Sequence, residues 1–427
     1  MIILVAWLLL ALARINSLPE EDMFSNDFYP HLQYTQIISL EDRLPSPYEG
    51  NETYQPPLYY LINSLVLPHP NELDKSSHIL SVKGLSILYG AISIFLIWLM
   101  LIKIEVPPIY KLLTLLFVIT TPSFLFTFFT YTNDALASLL LIAIVSISYG
   151  ISCSNKLTKK PFLLLLAVST AAIYTKYNSF WCIAVISLIC CRNFLLLKLP
   201  SSKDFSIIIV FILSVVLFIP WAYFHNYIHS GKYLPFAHYQ ESNIRRNLDI
   251  SKRIKFLRSI LNTPFSKEVS NKWNSPFVFP AKHDDDNKRG DYLSYSFITS
   301  VIAEYEYARP ALFVIWTIIW IHLLMCLLGI SIIFQNRLSI LSVCFIVLSH
   351  LVQLLSLSNN IEIHSYHMAY RFLIWNVLPW SVLYTTAASF KIFNSNFIYS
   401  RLVLVLMSTG IAFQVYFLMT AVGNKYL

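Results

Sequence analysis

Apolar stretches free of charge recur along the chain at 84–102, 112–133, 135–155, 161–175, 177–191, 205–224, 310–336, 338–361, 372–390 and 402–424, and the first twelve residues are apolar as well. A helix needs roughly 20 residues to cross a hydrocarbon core about 30 Å thick. The pattern therefore predicts an all-α polytopic bundle of about eleven transmembrane helices. Most connections between them are short, but two polar segments are long. The resulting organisation is 1–17, a first membrane helix or a signal peptide; 18–80, a first extracytoplasmic loop; 81–228, membrane helices; 229–309, a second large extracytoplasmic loop; and 310–427, C-terminal membrane helices. Ala11-Leu12-Ala13 has the small-residue spacing of a signal-peptidase site. On either reading of 1–17, Ser17 onward lies outside the cytoplasm.

Composition excludes a chain built of soluble domains. Only 13% of its 427 residues are charged and 56% are hydrophobic, against about 25% charged in soluble proteins. Nine glycines rule out collagen-like and linker-like classes. The net charge of +8 calls for no nucleic acid, because its sources explain it. Lys103, Lys111, Lys156, Lys159, Lys160, Arg192, Lys198, Lys203, Arg337, Lys391 and Arg401 fall on alternate short turns, against Glu105 and Asp204. Those turns read as cytoplasmic, which places both long polar segments on the opposite side. Cys153, Cys182, Cys190, Cys191, Cys326 and Cys344 sit in or beside apolar runs without metal-ligand spacing, and read as small packing residues. Asp284-Asp285-Asp286 reads as a solvated loop tip, and Asn51-Glu52-Thr53 matches a glycosylation sequon.

The chemistry concentrates in ionisable residues beside predicted spans: Asp27, Glu49, Asp134, Lys176, Glu362 and Arg371. Charge at membrane depth is expensive and marks function by default. Asp27 precedes Phe28-Tyr29-Pro30-His31, where Pro30 is tolerated only in a first helical turn. A short interfacial helix is predicted to begin at 26–29, with Asp27 as its N-cap or as a carboxylate favoured by the helix dipole. Gln55-Pro56-Pro57-Leu58-Tyr59-Tyr60 reads as the start of another helix. Lys176 separates two short apolar runs, as a residue snorkelling to headgroups or as a ligand. Asp134 opens a span, and Arg371 stands at the outer start of another.

Taken in order, Asp27-x-x-x-His31-Leu32-x-Tyr34, Arg43-Leu44-Pro45, Gln55-Pro56-Pro57-Leu58-Tyr59-Tyr60, Asn133-Asp134-Ala135-Leu136-Ala137, Tyr174-Thr175-Lys176-Tyr177 and Tyr370-Arg371-Phe372 with Pro379 resemble the GT-C superfamily of membrane glycosyltransferases. The similarity spans residues 20 to 380 and is greatest to the branch of protein O-mannosyltransferases and lipid A aminoarabinose transferases. It implies a GT-C-like bundle that moves a sugar, with inversion, from a polyprenyl-phosphate carrier to a lipid, glycan or protein acceptor outside the cytoplasm. The resemblance carries Asp27 over as the catalytic acidic residue, Asp134 as a second acidic residue near the site, and Lys176 and Arg371 as ligands of the carrier phosphate. His31, Glu49 and Asp134 are candidates for positioning the acceptor or a divalent cation, since carboxylates and imidazole are ordinary cation ligands. Gln55, Tyr59 and His367 are pocket candidates. The implied location is the bacterial inner membrane, or the endoplasmic reticulum membrane in a eukaryote, with the site facing away from the cytoplasm. One departure is Phe28, where many mannosyltransferases place Glu after the first Asp.

The chemistry is coherent without the resemblance. A phosphate leaving group needs fixed positive charge as its C–O bond breaks, and a carboxylate on the opposite face accepts the acceptor's proton. Two other readings share inward-facing charge: a transporter or flippase for an anionic amphiphile, and an inactive scaffold. The two long outer segments, and the absence of two-half repetition, favour the transferase.

Overall fold

The computed structural model describes residues 2–17, 28–50, 52–67, 75–153, 159–176, 179, 213, 223–231, 311–331, 337–359, 376–387 and 397–420. Every regular element among them is an α-helix: α1 (Ile2–Ser17), α2 (Phe28–Glu41), α3 (Leu58–Ser64), α4 (Lys75–Leu101), α5 (Pro108–Thr120), α6 (Pro122–Phe129), α7 (Asn133–Cys153), α8 (Lys159–Thr175), α9 (Phe224–Ser230), α10 (Ala311–Ser331), α11 (Arg337–Asn359), α12 (Val377–Ala387) and α13 (Phe397–Thr420). Among the described residues, Lys83–Leu101 and Asn133–Ile151 are long and apolar enough to cross a membrane, and a third candidate is the bent pair α5 and α6.

One expectation from the pattern needs correction. The run at 112–133 is not one helix: α5 and α6 meet at a 59° bend. Thr121 between them is extended, with φ −66° and ψ 121°. Proline has no N–H to donate and disfavours helical geometry in the residue before it, so Pro122 ends α5 and restarts the chain as the first residue of α6. The run at 84–102 matches the candidate span Lys83–Leu101, and α4 extends back from it to Lys75, so the end of the first polar segment is helical. The predicted helix beginning at 26–29 is α2, with Pro30 in its first turn. The Pro56-Pro57 signal is followed at once by α3.

The chain divides into two compact units. In the first, which holds 1–26, 97–129 and 245–427, α10 packs against α12 and α13, and α5 against α12 and α13. Phe117, Ile321, Met325, Tyr384 and Met407 fill their common core. Small residues permit close approach: a Cβ at Gly329 would lie 2.7 Å from the Leu383 carbonyl oxygen. Polar pairs tie the helices, with Thr114 to Thr385 at 2.9 Å and the Thr120 hydroxyl donating to Gln414 at 2.6 Å. Gln414, inside α13, thus meets the last residue of α5 and, through its amide nitrogen at 3.2 Å, the Thr121 hydroxyl at the break. Trp7 of α1 is fully buried against the rings of Phe124, Phe128 and Phe129, at centroid distances of 5.5, 6.4 and 4.9 Å. Cys326 is buried and Cys344 half-buried, both as free thiols. In the second unit, 27–96 and 130–244, α7 and α8 form an antiparallel hairpin, and α3 lies on α2 while touching α7 and α8.

Candidate functional site

The described site residues gather in the second unit, where two short helices from the first polar segment meet the open end of the α7–α8 hairpin. Helix α2 buries Phe28, His31, Tyr34, Thr35 and Ile37, a spacing that puts them on one helical face. Pro57 directs the chain into α3, which buries Tyr59, Tyr60 and Asn63. The two faces interlock through rings. Tyr34 and Tyr60 stack at 3.8 Å with planes 15° apart, and His31 stacks on Tyr60 at 5.7 Å. His31 Nδ1 and the Tyr60 hydroxyl share a hydrogen bond of 2.8 Å.

A second link fixes donor direction. The Thr35 hydroxyl donates to the His31 carbonyl at 3.0 Å, so its oxygen accepts from the Tyr131 hydroxyl at 2.5 Å. Tyr34 donates to the Gln55 carbonyl at 3.3 Å. Burial pushes the Tyr34, Tyr59 and Tyr60 phenols up, well above their ordinary range. These phenols are therefore neutral hydrogen-bonding groups at physiological pH.

Beside this cluster lies a buried ion pair. Asp134, in the first turn of α7, accepts a 2.5 Å bond from Lys176 Nζ, just past the end of α8. Each side chain is 9% exposed. An acidic group at a helix N-terminus and a cation at a C-terminus each complement the dipole of their own helix. Lys176 thus does not snorkel to a headgroup; its charge is turned inward and balanced by Asp134. Tyr59 bridges the two halves of the site, packing 6.2 Å from His31 and 5.5 Å from Tyr131, with its hydroxyl within electrostatic reach of Tyr89, Ser86 and Asp134. The hydroxyls of Tyr59, Ser86, Tyr89 and Thr132 and the amide nitrogen of Asn133 are buried without a hydrogen-bond partner of ordinary geometry. Such groups are costly to bury unsatisfied, and their concentration beside an ion pair suits a polar ligand rich in hydrogen-bonding groups.

Other predicted residues have different duties. Glu49 belongs to an exposed clasp, gripped by Arg43 through two bonds of 2.6 and 2.9 Å and by the Ser46 amide at 2.9 Å. The Arg43 guanidinium holds its carboxyl down at about 2. It is committed to the 41–50 turn, where Asp42 takes a left-handed φ of 49°. Helix α9 fastens the same turn, as His225 Nε2 donates to the Pro45 carbonyl at 2.9 Å and Asn226 to the Tyr54 carbonyl at 2.8 Å. Gln55 is buried, with its amide nitrogen on the Tyr54 hydroxyl at 3.2 Å. The expected convergence of His31, Glu49 and Asp134 on one cation does not occur: among the described residues no three His, Cys, Asp or Glu side chains group together, because Glu49 is drawn to Arg43, His31 to Tyr60 and Asp134 to Lys176. Asp27, Asn51, Glu362, His367 and Arg371 lie outside the described residues.

Sequence reasoning missed Lys83, and quoted Tyr60 in a motif without singling it out as a site residue. Lys83 is 1% exposed inside a candidate span; its only signal was that it bounds the apolar run beginning at 84. Comparison with protein-family models, with curated proteins and with solved structures returns no match.

Proposed function

We propose that this chain is a multi-pass membrane enzyme of about eleven spans, an inverting glycosyltransferase that moves a sugar from a polyprenyl-phosphate carrier to an acceptor on the extracytoplasmic side. One observation carries the reading: a buried ion pair, Asp134–Lys176, borders neutral phenols of the first polar segment and buried polar groups of α4 and the start of α7 that lack a hydrogen-bond partner of ordinary geometry. An amphiphile with an anionic, hydroxyl-rich head matches that mixture of charge and hydrogen-bonding capacity. In the reaction, the acceptor hydroxyl oxygen attacks the anomeric carbon, the bond from that carbon to the phosphate oxygen breaks, and the polyprenyl phosphate departs with its electron pair. Asp27 takes the acceptor's proton. Lys176 and Arg371 stabilise the leaving phosphate, and the tyrosines exclude water.

The test incubates purified protein with radiolabelled polyprenyl-phosphate sugars and candidate acceptors, beside the Asp27→Asn variant. Sugar transfer that is lost in Asp27→Asn while carrier binding survives is the expected result. Movement of intact carrier across a vesicle without sugar transfer supports the transporter reading and overturns this one. A reporter fused near Lys272 should be inactive if it requires the cytoplasm; cytoplasmic activity there overturns the proposed sidedness.

A further inference from the structure

Three buried hydroxyls of the second unit, on Tyr59, Ser86 and Tyr89, come together without pairing. The Tyr59 ring is fully enclosed, 5.5 Å from the Tyr131 ring and 6.2 Å from that of His31. The Tyr59 hydroxyl is reached by Ser86 and lies within electrostatic reach of Tyr89 and Asp134. Ser86 and Tyr89 stand three residues apart in α4 and both are buried, so they share a face of that helix. Among the described residues, none of the three hydroxyls has a hydrogen-bond partner of ordinary geometry. Their neighbours are paired: Tyr131 bonds Thr35, Tyr60 bonds His31 and Tyr34 bonds the Gln55 carbonyl. A buried hydroxyl that forgoes its hydrogen bonds destabilises the fold. Three of them in one place mark a partner that the protein does not itself supply.

We infer that Tyr59, Ser86 and Tyr89 read the sugar: their hydroxyls exchange hydrogen bonds with the hydroxyls of the sugar on the polyprenyl-phosphate carrier, and so determine which sugars are accepted. The inference rests on the proposed function and deepens it. A sugar hydroxyl both donates and accepts, as Ser and Tyr hydroxyls do, so each can serve the other whichever way its proton turns. Asp134 holds Lys176 beside Tyr59, which sets the sugar on the α3–α4 side of the head group and the phosphate on the Lys176 side. All three hydroxyls are closed off from solvent, so the sugar reaches them by parting α3 from α4.

The probes are short-chain prenyl-phosphate hexoses carrying glucose, mannose or galactose, with the bare short-chain prenyl monophosphate as the control without sugar. They are measured against the purified full chain in lipid nanodiscs free of glycoside detergent. At least one hexose probe should bind wild type more tightly than the bare phosphate. Tyr59→Phe and Ser86→Ala each remove one hydroxyl and no other polar group. Each should weaken binding of that hexose probe about 5- to 100-fold, the range for one hydrogen bond to a buried group, and leave binding of the bare phosphate unchanged. The melting temperature of Tyr59→Phe without ligand should hold or rise, because the lost hydroxyl had no partner. If the three hydroxyls serve only a trapped water, the variant instead melts lower with unchanged hexose affinity, and that result overturns the inference. Equal affinity of wild type for every hexose probe and for the bare phosphate overturns it as well. If wild type binds no probe, with or without sugar, the proposed function falls instead. If Tyr59→Phe does not assemble, Ser86→Ala decides by the same comparison.

Discussion

Breaking the Asp134–Lys176 pair from one side should be far more damaging than removing it whole. With the nitrogen 2.5 Å from the oxygen, the attraction is about 5 to 7 kcal/mol at an effective dielectric near 20. Both side chains are 9% exposed, so each has lost most of its hydration, at several kcal/mol per ion. The net worth of the pair is therefore small, but either partner alone is a buried, unmatched charge. Asp134→Asn and Lys176→Met should each cost about 3 to 5 kcal/mol. The double variant, which leaves no unmatched charge, should lie within about 2 kcal/mol of wild type. The coupling is then about 3 kcal/mol or more, read from equilibrium unfolding in mixed detergent micelles. Single variants that each lose under about 1 kcal/mol, or a double variant whose loss is the sum of the singles, would refute the claim that the pair is desolvated and mutually dependent.

Trp7→Ala should destabilise the first unit by about 3 to 5 kcal/mol, read from thermal unfolding, because Trp7 is wholly buried against Phe124, Phe128 and Phe129. Gly329→Ala should lower thermal stability, since its methyl would press to 2.7 Å from the backbone oxygen of Leu383, whereas Gly84→Ala, with nothing within 4 Å, should be neutral or stabilising by up to about 1 kcal/mol. The Arg43–Glu49 clasp should hold at neutral pH and loosen on acidification. Because the Glu49 carboxyl is depressed in the folded state to about 2, its contribution is present above the ordinary carboxylate range and is lost as pH falls from about 4.5 toward 2. Protease susceptibility of the 41–50 turn across that range, flattened in Glu49→Gln, reads it out.

The helices were largely legible because lipid-compatible runs and proline punctuation are local properties. Pro30 and Pro56-Pro57 announced α2 and α3. The same proline rule applied to Pro122 would have split the run at 112–133; hydropathy alone hid the break because both halves are equally apolar. Asp134 and Lys176 were recognisable as charges at the edges of spans, but their partnership was not, since 42 residues separate them and only the hairpin brings them together. Glu49 looked like a ligand beside the membrane because sequence counts carboxylates without their counter-ions, and Arg43 six residues away claims it. Lys83 escaped for a related reason: a charge that ends an apolar run looks like an interfacial anchor until the stripe of the helix shows which way it faces.

The hairpin of α7 and α8 carries its two interior charges at one end, where the first helix starts and the second stops. During membrane insertion that arrangement matters more than either residue. A lone Asp or Lys at the centre of a membrane helix resists entry by about 2.5 to 3.5 kcal/mol on insertion scales; at helix ends, where Asp134 and Lys176 stand, the cost is smaller, but an isolated α7 or α8 would carry it unaided. A hairpin that closes before it leaves the translocation machinery presents a neutral pair instead. The bond between Asp134 and Lys176 therefore favours entry of the two helices as one closed hairpin over entry of either alone.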